Sequence, residues 1–335
     1  MEAPVPRTAE QLAEEFASLD QPGLYGPEQC RTMVSQIARI RQLKAERRAV
    51  ILAHNYQRPE IFEVADFVGD SLELARRGTE VDADVIVLCG VHFMAESAKI
   101  LSPEKTVLIP DLRAGCSLAD SVDPDALVQR RDELRRQYPD LQVVAYVNTT
   151  AAVKAVVDVC CTSANALKIV ESLPTDNILF VPDEHLASYV QSHSQKNIIA
   201  WNGNCYVHHQ ITPENILRIR QAIPGVRVLV HPECRADVAA LADAVLSTSG
   251  MMRYARESDA SEFLIVTECG LSDKLILDVP EKHFYKACKL CQFMKMITLD
   301  ATQLALERMQ HEITLDEDVR RQAARSLERM LELSR

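Results

Sequence analysis

Positive charge is scarce in this sequence. Thirty-seven lysines and arginines face 48 aspartates and glutamates, for a net charge of −11. Nucleic acid and anionic membrane surfaces are therefore poor partners. Long apolar runs are also missing. The longest are about strand length and lie between charged segments, so no membrane span is expected. The N-terminal stretch MEAPVPRTAEQLAEEF is acidic and lacks a basic-then-apolar leader pattern. The expected location is cytoplasmic. There, ten cysteines are not expected to build a disulfide framework. Cys30, Cys89, Cys160, Cys161, Cys234 and Cys269 read as small packing residues. Cys116 in RAGCSLAD, Cys205 in WNGNCYVHH and Cys291 in KACKLCQFM sit differently, the first two following glycine in turn-like contexts.

What is present is a repeat. The chain has 335 residues, 47% of them apolar, enough for a large core. Apolar runs end at His54, Tyr146 and His231, and a hydroxyl residue follows each by 17 positions, at Ser71, Ser163 and Thr248. An aspartate stands five positions before each hydroxyl, at Asp66, Asp158 and Asp243. A further apolar run follows (VIVLCG, ILFVPD, FLIVTE), and then a cysteine, 45, 42 and 43 residues after the hydroxyl. Four features in one order, three times over, indicate three homologous units. Their period of about 88 residues exceeds that of the common solenoid repeats.

Within each unit, continuous apolar runs alternate with helical patterns, the signature of buried parallel strands with helical crossovers. The expected fold is α/β: three homologous three-layer α/β/α domains with parallel sheets, arranged with pseudo-threefold symmetry around a central site. The boundaries read as an N-terminal extension over 1–25, domains over 26–115, 116–204 and 205–296, and C-terminal helices over 297–335 packing back on the first domain. The marked residues all follow strands, where open parallel sheets bind ligands.

Three converging thiolates are open to three readings: structural zinc, an iron–sulfur cluster, or packing. Zinc sites normally take four ligands at short spacing, and ferredoxin-type clusters take four cysteines. A cluster on three cysteines would leave one iron open as a Lewis acid.

The segments AHNYQRPEI, ADFVGDSLELA, GVHFMAESAKIL, AGCSLAD, YVNTTAAVKA, CTSANA, VHPEC, STSGM and CQFMKMITL resemble the quinolinate synthase family, iron–sulfur enzymes of NAD biosynthesis. The resemblance runs from about residue 35 to 310. It implies a [4Fe-4S] cluster on Cys116, Cys205 and Cys291. It implies catalytic roles for His54, Tyr56, Tyr146, His231 and Glu233. Substrate contacts fall on His54, Ser71, Tyr146, Asn148, Ser163, His208, His231, Glu233 and Thr248. The implied reaction condenses iminoaspartate with dihydroxyacetone phosphate to quinolinate, with loss of phosphate and two waters. L-aspartate oxidase, which makes iminoaspartate, is the implied partner. Two departures stand out: Tyr206 follows the second cysteine where proline is common, and Cys288 adds a CxxC with Cys291. Cys288 reads as a reactive or packing thiol. The anionic substrate groups are expected on Ser71, Ser163, Thr248 and backbone N–H groups at helix N-termini. Rival readings are another iron–sulfur hydro-lyase acting on a small acid, and a non-enzymatic cluster carrier.

Overall fold

Three four-stranded sheets carry the fold, each buried between helices. A computed structural model describes residues 7–19 and 21–335. The first sheet holds β1 (Ala49–His54), β2 (Phe67–Gly69), β3 (Val85–Cys89) and β4 (Thr106–Leu108). The second holds β5 (Gln142–Tyr146), β6 (Val159–Cys161), β7 (Asn177–Val181) and β8 (Asn197–Ala200). The third holds β9 (Arg227–Val230), β10 (Ala244–Val245), β11 (Glu262–Val266) and β12 (His283–Lys286). In each sheet the second strand takes one edge, and the first, third and fourth follow in that order. Every pairing is parallel. The central strands are continuous apolar runs because both their faces are covered: Ile51, Leu52, Val143, Val144, Leu229 and Leu264 are fully buried.

The recurring aspartates explain how each unit closes its first crossover. Asp66, Asp158 and Asp243 immediately precede β2, β6 and β10. Their Oδ2 atoms accept the N–H of Ile51, Val143 and Val228 on the first strand of their unit, each at 2.7 Å. In return, each aspartate's own N–H donates to the carbonyl of that same residue, at 2.9, 3.1 and 2.8 Å. A basic side chain from the helix entering the first strand also meets each carboxylate: Lys44 at 2.8 Å, Arg135 at 3.3 Å and Arg220 at 3.1 Å. Asp158→Ala would leave the Val143 N–H without its acceptor. The expected cost is about 1–3 kcal/mol, read as a lower denaturation midpoint with turnover unchanged. An unchanged midpoint would show that solvent replaces the carboxylate.

The chain ends differ in part from expectation. The helix Ala9–Phe16 of the N-terminal extension buries Leu12 and Phe16 against the long helix Pro27–Arg47. The helix Leu299–Arg308 lies on that same long helix, on the first unit. The last helix, Glu317–Leu333, instead covers mainly the second unit. Its face of Ala323, Ala324, Ser326, Leu327 and Met330 is buried over β6 and the helix Ala151–Ala155. Ser326 Oγ there donates to the Lys154 carbonyl at 2.8 Å, and Arg329 reaches the Asp158 carbonyl at 3.1 Å. Periodicity shows that this helix has a face to bury; only the sheet positions decide against which unit. Among the described residues, no helix is long and apolar enough to cross a membrane.

Candidate active site

The carboxyl ends of the three sheets meet at one cavity. Equivalent positions of all three units line it. His54, Tyr146 and His231 come from the ends of the first strands, and Ser71, Ser163 and Thr248 from just after the second. Cys116, Cys205 and Cys291 come from the loops after the last. Tyr56, Asn148, His208 and Glu233 complete the wall. The fold thus brings every candidate catalytic, substrate-binding and cluster residue to one place. Phe93, Met94, Val207 and Met294 add apolar surface. Among the described residues, no lysine or arginine lines the cavity.

The two strand-end histidines are held alike. The Tyr56 N–H donates to His54 Nδ1 at 3.1 Å, and the Glu233 N–H to His231 Nδ1 at 3.4 Å. In each case the chain turns straight after the strand and lays a backbone donor on the ring two residues back. Burial pushes both imidazoles down to about 3, against the opposing pull of Glu233. Both are therefore neutral near pH 7, and an accepting Nδ1 puts the single ring proton on Nε2. Each ring keeps one N–H donor. Burial also raises Tyr56 and Tyr146 well above the usual phenol range, with Glu233 adding to it, so both keep their protons.

Glu233 is the charged centre. It is 2% exposed. Asn148 Nδ2, from the second unit, donates to its Oε1 at 3.2 Å. His208 Nδ1 lies 2.7 Å from its Oε2, close enough for an ion pair but outside hydrogen-bond alignment. His231 Nδ1 is 3.5 Å away. Burial alone would raise this carboxyl; His208 first, with the Tyr146 hydroxyl behind it, outweighs burial and holds it below the usual range, so Glu233 is ionised. On its other side, His208 Nε2 lies 2.9 Å from Thr267 Oγ1 and 3.5 Å from the Tyr56 hydroxyl, which itself meets Thr267 at 2.5 Å. Glu233, His208 and Tyr56 form a chain of proton-carrying groups along the wall.

The hydroxyl residues are not helix caps. Asp70 caps the helix Ser71–Glu80, its Oδ1 accepting from the Leu72 and Glu73 N–H groups at 3.0 Å each. Ser247 caps Thr248–Glu257 through the Gly250 N–H at 3.2 Å. In the second unit, Asn165 Oδ1 takes the Thr162 N–H at 2.6 Å. The N–H groups of Leu72, Glu73, Gly250 and Thr162 are thereby bonded within the chain. The side chains of Ser71 and Thr248 are correspondingly free of capping duty.

Cys116, Cys205 and Cys291 are unpaired thiols. Burial pushes Cys116 up to about 12, Cys205 well above the ordinary thiol range and Cys291 upward, and neighbouring thiols add to the first two. Three thiols lining one cavity, each costly to ionise alone, are a donor set that a cationic cluster would satisfy. Cys288 is excluded from that set. It forms a disulfide with Cys269, at a Cα–Cα distance of 5.1 Å. Two expectations are thereby corrected: Cys269 is not a lone packing residue, and Cys288 is not a free thiol. The cause is topological. Cys269 opens the helix after β11, Cys288 follows β12, and those strands are neighbours.

Two positioning acids escaped the sequence reading. Glu268 Oε1 accepts the Cys291 N–H at 3.0 Å, and Asp183 Oδ2 accepts the Cys205 N–H at 3.3 Å. Both stand two residues past the third strand of their unit. Each therefore fixes the backbone of its own unit's cysteine. Lys295 pairs with Glu268 at 3.2 Å and bridges to the Tyr56 carbonyl at 2.5 Å. The acids were visible in VPD and VTE, but only as the ends of apolar runs.

Residues 38–332 match the family described as Quinolinate synthetase A protein. The chain belongs to that family. A quinolinate synthase of Thermodesulfovibrio yellowstonii is 52% identical over 300 residues, covering 89% of this chain and 98% of the relative. One from Xylella fastidiosa (strain 9a5c) is 51% identical, covering 89% and 87%. Quinolinate synthase 1 of Methanosarcina acetivorans is 50% identical, covering 88% and 96%. The matched span takes in all three sheets and every residue of the cavity wall named above. This member of the quinolinate synthetase A family is therefore an enzyme.

Proposed function

We propose that this enzyme condenses iminoaspartate with dihydroxyacetone phosphate to quinolinate, releasing phosphate and two waters, as a cytoplasmic step of NAD biosynthesis. We further propose that Cys116, Cys205 and Cys291 hold a [4Fe-4S] cluster, and that L-aspartate oxidase supplies the iminoaspartate. The observation that carries this reading is the convergence of three free thiols with ionised Glu233 and two neutral histidines in one cavity. Bound there, the cluster would supply a Lewis-acidic iron with one position free for a substrate oxygen or nitrogen.

The chain's own groups divide the remaining work. The Nε2–H donors of His54 and His231 and the Tyr146 hydroxyl bind substrate carboxylates or carbonyl oxygen. Asn148 holds Glu233 in place while facing the same cavity. Ser71, Ser163 and Thr248 offer hydroxyls to the phosphate. Each dehydration takes a proton from carbon and gives one to the departing hydroxyl. Glu233 takes the first, and Tyr56 gives the second. His208, between them, returns the proton from Glu233 to Tyr56 and restores both groups.

The scarcity of cations in the cavity favours one rival, an iron–sulfur hydro-lyase acting on a small acid without phosphate. Product analysis of anaerobically prepared holoenzyme separates the two. The proposal expects one quinolinate and one phosphate per turnover, only with both substrates present. Conversion of the acid without dihydroxyacetone phosphate would favour the hydro-lyase.

A further inference from the structure

A second group of ligand side chains lies outside the central cavity. Glu184 and His185 open the helix Glu184–His193 of the second unit. His209 ends the short helix Tyr206–His209, which leads into the third unit. His185 Nε2 stands 2.9 Å from His209 Nδ1, with the rings stacked at a centroid distance of 5.1 Å. Glu184 Oε1 is 3.9 Å from His185 Nε2. One donor atom from each of the three residues falls within 4.8 Å of the other two. The histidines are 24 positions apart, so the fold, not local sequence, brings them together.

Without an ion, the two facing nitrogens share one proton. A neutral imidazole can move its proton to its other nitrogen. When the donating ring changes tautomer in this way, two lone pairs face one point beside a carboxylate. Two imidazoles and a carboxylate suit zinc and its neighbours among divalent ions, and leave a position for water. The carboxylate is also oriented as ligands in such sites are. Asn204 Nδ2 donates to Glu184 Oε1 at 3.0 Å, and the Glu184 N–H donates to the Gly203 carbonyl at 2.8 Å.

We propose that Glu184, His185 and His209 bind one divalent ion of the zinc type, with water completing its coordination. The ion ties the segment carrying Cys205 and His208 to the second unit. It is a clamp on one wall of the central cavity, separate from any metal held inside.

The test is calorimetric titration of the full-length holoenzyme with Zn²⁺, comparing wild type with His185→Gln and His209→Gln. Any zinc taken by the central thiols is common to all three proteins and cancels in the comparison. Wild type is expected to bind one equivalent more than either variant, and zinc should raise its unfolding temperature alone. Asn204→Ala should keep the equivalent but bind it about tenfold or more weakly. Circular dichroism without zinc should be the same for all. Equal stoichiometry and affinity in wild type and the two histidine variants would overturn the proposal, as would a wild type that takes up no zinc.

Discussion

Replacing Cys116, Cys205 or Cys291 with alanine is expected to yield protein with no intact cluster and no turnover. Cys288→Ala should keep both. The asymmetry follows from the geometry. The first three thiols are unpaired and line one cavity, each from a different unit. Cys288, three positions from Cys291, is bonded to Cys269. Losing one of three thiolates removes a third of the protein's grip, and no spare cysteine on the same wall replaces it. Iron and sulfide analysis after anaerobic purification, beside a turnover assay, reads the result. Iron retained in Cys291→Ala but lost in Cys288→Ala would reverse the assignment. The same comparison tests the positioning acids: Glu268→Gln keeps an acceptor for the Cys291 N–H, so it should hold iron better than Glu268→Ala.

Glu233→Gln should slow turnover by about a hundredfold or more, within the roughly 10²–10⁴ that a lost general base costs. The substitution keeps the shape and leaves an oxygen to accept from Asn148. It removes the only negative charge among His54, His208 and His231, and with it the start of the proton chain to Tyr56. Iron content should not change, because Glu233 is not among the cluster thiols. That distinguishes a lost base from a collapsed site. Wild-type turnover in Glu233→Gln would pass the base role to His54 or Tyr56. Low iron would show instead that Glu233 supports the cluster wall.

The threefold architecture was legible because it is written as spacing. A 17-residue interval repeated at His54, Tyr146 and His231 survives the divergence of everything around it, since each interval spans one strand, one crossover and one helix start. The parallel sheets were legible for a similar reason: strands covered on both faces lose their polar alternation. What sequence could not supply depends on which strand lies beside which. The Cys269–Cys288 bond needs β11 and β12 as neighbours. The placing of Glu317–Leu333 over the second unit needs the position of β6. Two of the helix caps at the cavity stand one residue before the repeated hydroxyls. Asp70 and Ser247 take the cap beside Ser71 and Thr248, and sequence alone does not choose between neighbours that are both chemically good caps. The Glu184–His185–His209 group was invisible for the same reason as the disulfide, because its members meet only once the second and third units are joined.

The most direct test is the spectrum of the anaerobically purified full-length protein with and without quinolinate. A cluster on three cysteines leaves one iron to exchange its outside ligand. Four iron and four sulfide per chain are therefore expected, with one iron whose signal shifts when quinolinate is added. Protein that turns over without iron, or whose cluster ignores quinolinate at every concentration, would contradict the account.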